Sequence, residues 1–457
     1  MTTSAERSTL EEQIGQWRSY LRRRQAIHAP DVEELEGHLR DQVAALTGSG
    51  LAPEEAFLIA VKRMGSLDAL SLEFAREHSE RLWKQLVVPS GTSSEEGSAA
   101  RRNAFVVFAL ALCAAVAIKL PTLFGIQMRD GGESFYARNL SLFSLPLLAG
   151  YFAWRRGLSR PRCALAALGL VAGALFANLY PFGAESHTLT LTALHLPIAL
   201  WLVVGVTYAG ARWSEAGGRM DFVRFSGELF IYYVLIALGG GVLTGFTLIM
   251  FEAIGMKAEL VAQNWLIPCG AMGAVLVASW LVEAKQSVIE NMAPVLTRLF
   301  TPLFTLVLLT FLVTMLWTGS PIEIERGELI AFDLLLALVV GLVLYAASAR
   351  DPEAPPSFFD RMLLLLIGSA LVVDVVALSA IAARISEYGF TPNRVAALGE
   401  NLILLVNLAG TAWLYVQFFR GRRPFAALER WQTAYLPVYS GWAALVVVVF
   451  PPLFRYL

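Results

Sequence analysis

Six polar or charged residues interrupt apolar stretches near the carboxyl end of the sequence. They are Asp374, Arg384, Glu387, Arg394, Glu400 and Asn407. Carboxylates and guanidiniums in such surroundings can form ion pairs, hold and pass on a proton, or bind a small polar solute. These residues therefore form a candidate polar binding site. None of them is predicted to be catalytic.

The segment between residues 384 and 394 predicts a tight turn between two helices. Gly389 stands where a helix C-cap belongs, and Thr391 followed by Pro392 is typical of an N-cap and the first position of the next helix. Arg394 then falls in the first turn of that helix, where the helix dipole disfavours a cation. Arg394 therefore needs a carboxylate or a lipid phosphate as its partner, and Glu387, just across the turn, is the nearest candidate.

Distance from the turn places the other candidates inside the helices. At about 1.5 Å per residue, Asp374 lies about 22 Å from the turn, and Asn407 lies at a similar depth on the returning helix. Glu400 is shallower, within reach of Arg384. Three interpretations stay open: interhelical polar pairs that hold a bundle together, a polar pathway for a proton or solute, and anchoring to lipid headgroups.

The helices that carry these residues have the composition of membrane spans. The chain has 457 residues, of which 56% are hydrophobic and 16% are charged, whereas soluble domains average about a quarter charged residues. About eleven apolar segments are long enough, or nearly so, to cross about 30 Å of hydrocarbon. They centre on residues 103–124, 138–154, 163–182, 189–211, 226–254, 263–284, 294–318, 328–349, 361–383, 394–419 and 434–454. The second is short, and the fifth is too long for one simple span unless its glycines, 239 to 241 and 245, bend it or let a neighbour approach.

The sequence thus predicts an all-α protein in three parts. Residues 1–86 form a small soluble helical domain, residues 87–100 a flexible linker, and residues 101–457 a polytopic helical membrane bundle. The core expected for the first domain comprises Ile14, Trp17, Leu35, Leu39, Phe57, Phe74 and Leu82. Most lysines and arginines in the loops fall on the side of the amino terminus, which the positive-inside rule places in the cytoplasm.

Two parts of the sequence resemble known families. Residues 31–86, with "PEEAF", "RMGSLDAL" and "EFAREHSERLWKQL", resemble a prefix domain found before bacterial permease-like proteins, which implies attachment to a membrane partner. Residues 290–455 resemble the multi-pass bacterial membrane proteins of domain-of-unknown-function family 4153. The most recognisable motif of this second resemblance consists of Arg384, Ile385, Glu387, Tyr388, Gly389, Thr391, Asn393 and Arg394. The second resemblance brings no established activity with it, and we expect a multi-pass protein of the bacterial cytoplasmic (inner) membrane.

Further polar residues and the cysteines are expected to have ordinary surroundings. Those expected at the membrane interface are Lys119, Glu228, Glu252 and Asp333. We expect Glu283 and Lys285 to be solvated, and His195 to make a helix–helix hydrogen bond rather than relay a proton. The three cysteines, Cys113, Cys163 and Cys269, lie in apolar runs and are expected to be buried rather than paired or metal-bound.

The motifs of several enzyme classes are missing from the sequence. It contains no GxxxxGK[ST], HExxH or GxSxG motif and no paired CxxC, so we expect no enzymatic activity, no metal and no cofactor. A net charge of −1 gives no field that would recruit nucleic acid. The lipid bilayer is the expected partner.

Two functions stay open from the sequence. The first is an integral inner-membrane protein of the transporter or permease kind, which moves a solute or protons past Asp374, Glu400 and Arg384. The second is a non-enzymatic regulatory, sensor or scaffold membrane protein whose residues 1–86 bind a cytoplasmic or membrane protein partner. The sequence names neither a solute or ion nor a partner.

Overall fold

The computed structural model shows an all-α chain. It describes residues 10–11, 14, 29–49, 51–63, 94–128, 131–183, 186–253, 256, 258–284, 292–318 and 326–457. Helices dominate these ranges, and no strand occurs in them. The chain divides into two compact units, Met1–Arg102 and Asn103–Leu457.

The first unit contains two described helices that pack together, α1 (Ala29–Gly48) and α2 (Pro53–Arg63). The apolar core between them is formed by Ile14, Leu39, Val43, Ala56, Phe57 and Ala60. The predicted core residues Ile14, Leu39 and Phe57 are thereby confirmed. The side chain of Leu35, and residues Trp17, Phe74 and Leu82, lie outside the described part of the chain.

An ion-pair network ties the segment before α1 to that helix. Arg40 donates to both carboxylate oxygens of Glu11, at 2.7 and 2.8 Å, and to Glu36 at 2.9 Å. The hydrogen bond with Glu11, and then that with Glu36, raises the pKa of Arg40. Ile14 lies three residues beyond Glu11, so the same segment also supplies the core residue.

We expect a fragment of residues 1–90 to fold alone and to depend on this core. Val43 is 4% exposed, and Val43→Ala removes two buried methyl groups, so it should lower the free energy of unfolding by about 1–2 kcal/mol. Circular dichroism melts of the fragment measure this loss. The control is Asp41→Ala at an exposed position of the same helix. A fragment without a cooperative melt would contradict the prediction of an independent domain.

Residues 94–100 differ from the predicted flexible linker. They form the first turns of α3 (Ser94–Ala117), and residues 87–93 lie outside the described ranges. The segment contains two glutamates and two alanines, which have high helix propensity, and it is continuous with an apolar helix that extends it.

The second unit comprises helices that follow one another along the chain. After α3 they are α4 (Glu133–Asn139), α5 (Leu145–Arg155), α6 (Arg160–Leu179), α7 (His187–Ala209), α8 (Ala216–Ala253), α9 (Glu259–Val261), α10 (Ile267–Ala284), α11 (Met292–Thr318), α12 (Arg326–Ser348), α13 (Phe358–Tyr388), α14 (Pro392–Phe419), α15 (Ala426–Val448) and α16 (Phe450–Leu453). A π-helical turn, Ala262–Leu266, connects α9 to α10.

Nine helices in the described part of the chain are long and apolar enough to cross a membrane. They are Arg101–Phe124, Arg160–Leu179, His187–Ser214, Ala216–Glu252, Glu259–Ala284, Leu296–Met315, Ile330–Ser348, Phe358–Tyr388 and Pro392–Phe419. Each corresponds to one of the eleven predicted spans, so the polytopic helical bundle is confirmed. The predicted span 138–154 is instead broken into α4, a 3₁₀ turn and α5, and the predicted span 434–454 lies largely in α15.

The long helix α8 is one uninterrupted α-helix. Its 38 residues extend for about 57 Å, well beyond the hydrocarbon thickness. A Cβ atom placed on Gly239, Gly240, Gly241 or Gly245 would have no described atom within 4 Å apart from the backbone of its own helix and its chain neighbours. The predicted close approach of a neighbour at these glycines is therefore not made by any described residue.

Two large buried apolar clusters, and a smaller one of Leu191, Ala396, Val446 and Phe450, hold the second unit together. The amino-terminal core draws its residues from positions 107 to 282, with Val447 added, and the carboxyl-terminal core from positions 308 to 428. Helix α7 packs against α14 and α15, and α8 packs against α12, so these contacts join the two cores. None of the three cysteines is among the buried residues of these cores. Cys113 is exposed, and Cys163 and Cys269 are half-buried. The expected full burial of the cysteines was therefore wrong.

Candidate functional site

The predicted hairpin between α13 and α14 is confirmed. Gly389 has φ +79°, a value that favours glycine, and its N–H donates to the carbonyl of Ile385 at 2.8 Å. The Thr391 hydroxyl accepts from the N–H of Arg394 at 3.4 Å, and Pro392 occupies the first turn of α14. These contacts set α13 and α14 side by side and fix the register between their polar residues.

Arg394 does not pair with Glu387. Its Nη1 donates to the carbonyls of Tyr388 at 3.0 Å and Gly389 at 2.8 Å, and its guanidinium lies 5.4 Å from the ring centroid of Tyr388. Between the described side chains of Arg394 and Glu387 there is no ion pair. The physical reason is that the end of α13 presents unsatisfied carbonyls and the negative pole of its dipole beside Arg394, so they replace the carboxylate.

The residues nearest the turn lie at the rim of the bundle. Glu387 and Tyr388 are exposed, and Arg384 is half-buried. The family-like motif therefore builds the turn itself, through Gly389, Thr391 and Arg394, and the deeper candidates form separate groups.

Glu400 contacts His195, a residue on α7 that is 205 positions away in sequence. The distance from Glu400 Oε1 to His195 Nε2 is 2.5 Å, and the His195 side chain is 6% exposed. The other ring nitrogen, Nδ1, lies 2.8 Å from the carbonyl oxygen of Leu191. A carbonyl can only accept, so Nδ1 carries a hydrogen and a further proton must lie between Nε2 and Glu400. The pair is thus a charged imidazolium–carboxylate or a neutral imidazole–carboxylic acid.

The predicted interhelical hydrogen bond of His195 is confirmed by this contact. Its geometry goes beyond that expectation, because the two protonation forms differ only in which partner holds the shared proton. The sequence could not reveal the pairing, since nothing in it relates the position of His195 on α7 to that of Glu400 on α14.

Asp374 is fully buried, and neither of its carboxylate oxygens has a hydrogen-bond donor among the described residues. It interacts electrostatically with Asp333, which in turn interacts with Glu400. Burying an isolated carboxylate is costly, so Asp374 needs a proton or another positive charge to offset its own. A buried carboxylate without a donor lowers the stability of the fold.

Asp333 contacts a buried side chain of a neighbouring helix, and its predicted place at the membrane interface stays a prediction. It is half-buried, and its Oδ1 accepts from Nδ2 of the fully buried Asn401 at 2.7 Å. Sequence reasoning did not select Asn401, although a polar residue directly after Glu400 in an apolar helix was a usable signal. We call His195, Asp333, Asp374, Glu400 and Asn401 the membrane cluster.

Asn407 belongs to a different group between α14 and α15. Its Nδ2 donates to Gln432 Oε1 at 3.4 Å, and its carbonyl accepts from Thr411 Oγ1 at 2.7 Å and Trp431 Nε1 at 3.2 Å. Gln432 in turn donates to the Thr411 hydroxyl at 2.5 Å. This network is uncharged, and it joins two neighbouring helices, so it matches the interpretation of Asn407 as a residue that holds the bundle together.

Glu283 is buried and paired rather than solvated. Its side chain is 2% exposed, and its two oxygens accept from Arg155 at 3.1 Å and Arg156 at 2.9 Å. Two arginines from the end of α5 thus neutralise a carboxylate at the end of α10, which explains why a charge is tolerated there. Glu228 is also buried, at 4% exposure, and its predicted place at the membrane interface stays a prediction, while Lys285 lies outside the described residues.

Lys119 and Glu252 are the other two residues that we predict at the membrane interface. Lys119 is half-buried and lies 4.8 Å from the ring centroid of Trp265, and Glu252 is exposed near the end of α8. In the described part of the chain, no three histidine, cysteine, aspartate or glutamate residues are grouped so that they could hold a metal ion. The expected absence of metal and cofactor stays a prediction.

Comparison with known proteins adds no relative to this picture. No family model matches the chain, and the searches of curated proteins and of solved structures found no match either. The resemblances to family 4153 and to the permease prefix domain therefore stay predictions. What the chain's own structure supports is a multi-pass helical membrane protein with a protonatable cluster among its helices.

Proposed function

We propose that this protein is a permease-like transporter that moves protons, alone or together with a small solute, past the membrane cluster. The observation that carries the proposal is the 2.5 Å contact between His195 and Glu400, which requires a shared proton. Asp333 interacts electrostatically with Glu400, and Asp374 interacts with Asp333, so the two aspartates offer further positions for a proton.

The energetic cost of the cluster also favours a functional role. Ionisable groups inside the hydrocarbon region are expensive and face the bundle interior where a pathway requires them. Asp374 in particular forms no hydrogen bond with a described residue, so holding the bundle together does not account for it. A group that costs stability and is nevertheless buried is most readily understood as part of a proton path.

The orientation and location belong to the same proposal. We place the protein in the bacterial cytoplasmic (inner) membrane with its amino terminus in the cytoplasm. The distribution of lysine and arginine among the loops supports this orientation, and the two family resemblances support the bacterial membrane. The absence of enzymatic activity is likewise part of the proposal and is supported by the missing motifs.

Proton flux into vesicles tests the transport proposal directly. Full-length protein is reconstituted into vesicles that contain a pH-sensitive dye, and a potassium diffusion potential drives proton entry. Glu400→Gln keeps the shape of the side chain but cannot carry an exchangeable carboxyl proton. The substitution also removes a charge-assisted hydrogen bond to His195. We therefore expect the proton flux to fall about tenfold or more.

Glu387→Gln is the matched control for that experiment. It makes the same chemical change on an exposed residue of the turn, outside the membrane cluster, so its flux should stay close to that of the wild type. Equal fluxes in wild-type protein, Glu400→Gln and protein-free vesicles would contradict the proposal.

A regulatory or scaffold function is the second candidate, and one observation favours it. Residues 1–102 form a compact unit of their own, a suitable module for binding a cytoplasmic or membrane partner. In that case a partner should co-purify with the full chain and be lost when residues 1–86 are deleted. Proton flux that persists after the same deletion would instead favour the transporter.

A further inference from the structure

A second polar site lies at the opposite end of the helices from the α13–α14 turn. It is a cavity of about 410 Å³ within the second unit, between the ends of α5 and α7 and the beginning of α8. This volume is within the about 300–1,000 Å³ that small-molecule sites usually occupy. Its lining residues are Arg156, Tyr208, Ala209, Arg212, Gly218, Asp221, Arg224, Phe225 and Glu228.

The wall of the cavity carries more positive than negative charge. Three of its residues are arginines and two are acidic. Arg212 Nη1 contacts Asp221 Oδ2 at 2.9 Å, and Arg156 Nη2 contacts Glu283 Oε1 at 2.9 Å. A guanidinium has five N–H donors, more than either contact uses, so Arg156 and Arg212 keep donors that can bind an anion in the cavity.

Contacts with neighbouring side chains and backbone position two of the three arginines, Arg156 and Arg224. The guanidinium of Arg156 lies 5.1 Å from the ring centroid of Tyr208, and Tyr208 stacks on Phe225 at 4.5 Å between centroids. Arg224 donates to the carbonyl of Ser348, which ties the start of α8 to the end of α12. Such pre-positioned guanidiniums match the geometry of phosphate oxygens and lower the entropic cost of binding them.

We propose that this cavity binds a phosphate group. Planar guanidiniums that converge on one polar cavity favour a phosphate over an apolar ligand, and the group can belong to a phospholipid headgroup or to a small soluble anion. Because the cavity is remote from the membrane cluster, the proposal stands independently of proton transport.

Binding to full-length protein in detergent micelles tests the proposal with two separate probes. One is phosphatidylglycerol titrated against phosphatidylcholine, and the other is inorganic phosphate titrated against chloride at constant ionic strength. We expect a saturable rise in melting temperature with at least one probe. A response to phosphatidylglycerol alone identifies a lipid headgroup, and a response to inorganic phosphate alone identifies a soluble anion; a response to both supports the shared phosphate chemistry.

Two variants connect the binding to the cavity. Arg212 is 60% exposed, so Arg212→Gln should leave folding intact while weakening the apparent affinity for the effective probe about tenfold, through loss of a charge-assisted hydrogen bond. Arg422→Gln removes the same charge at an exposed position outside the cavity and should bind as the wild type does. The proposal is overturned if neither probe binds, or if Arg212→Gln and Arg422→Gln change the affinity equally.

Discussion

Asp374→Leu is expected to abolish proton flux and, at the same time, to raise the thermal stability of the protein. Leucine has the same branching and number of heavy atoms as aspartate, so it fits the site without a cavity. Asp374 is fully buried without a donor among the described residues, and replacing such a group with an apolar one of equal shape can stabilise a protein by about 1–4 kcal/mol. Reconstituted flux and melting temperature are measured on the same preparation.

The comparison between Asp374 and Asn407 separates function from structure. Asn407 is equally buried, and its side-chain Nδ2 donates to Gln432 Oε1 at 3.4 Å, so Asn407→Leu leaves that buried acceptor without its donor and should lower stability by about 1 kcal/mol while the flux of the remaining folded protein stays near normal. If Asp374→Leu instead lowers the stability and retains flux, Asp374 is a structural residue and the proposed proton path is wrong at this position.

Gly399→Leu is expected to prevent most of the protein from folding. A Cβ atom at this position would lie 2.0 Å from Cζ2 of Trp442, far inside van der Waals contact, so α14 and α15 could not keep their spacing. Overpacking of a core costs about 1–3 kcal/mol for added methylenes, and the whole side chain would exceed that range. The yield of monodisperse protein and its melting temperature report the effect.

Gly368→Leu provides the control for that substitution. It makes the same change on α13, where a Cβ atom would have no other atom within 4 Å, and it replaces a helical glycine with a better helix former. Its stability should rise slightly, by about 0.5–1 kcal/mol. Equal losses for the two variants would show that the contact with Trp442 is unimportant.

Features that depend on residues close together in the sequence could be predicted from it. Apolar runs predicted nine of the helices that can cross a membrane, and the order of Gly389, Thr391 and Pro392 predicted the turn between α13 and α14. Hydropathy failed at 138–154, because α4 ends at the start of this segment, with the polar residues Arg138 and Asn139, and the chain changes to a 3₁₀ turn before α5.

Partners of the polar residues could not be predicted in the same way. Glu400 contacts a histidine 205 positions away, and Glu283 pairs with Arg156 across 127 positions. Such pairs depend on which helices are neighbours, and apolar faces of similar composition do not specify that. The predicted partner of Arg394 was wrong for a local reason. The dipole of α14 can be inferred from the sequence, but the reach of the Arg394 side chain to the carbonyls at the end of α13 cannot.

The two apolar cores give the contact between His195 and Glu400 a mechanical consequence. His195 lies on α7, which contributes to the amino-terminal core, and Glu400 lies on α14, which contributes to the carboxyl-terminal core. A rocking displacement of one half of the bundle against the other by about 1 Å would stretch this 2.5 Å contact beyond hydrogen-bond length. Loss of the shared proton would therefore remove one polar restraint between α7 and α14, and the apolar cluster of Leu191, Ala396, Val446 and Phe450 would remain as a contact between them.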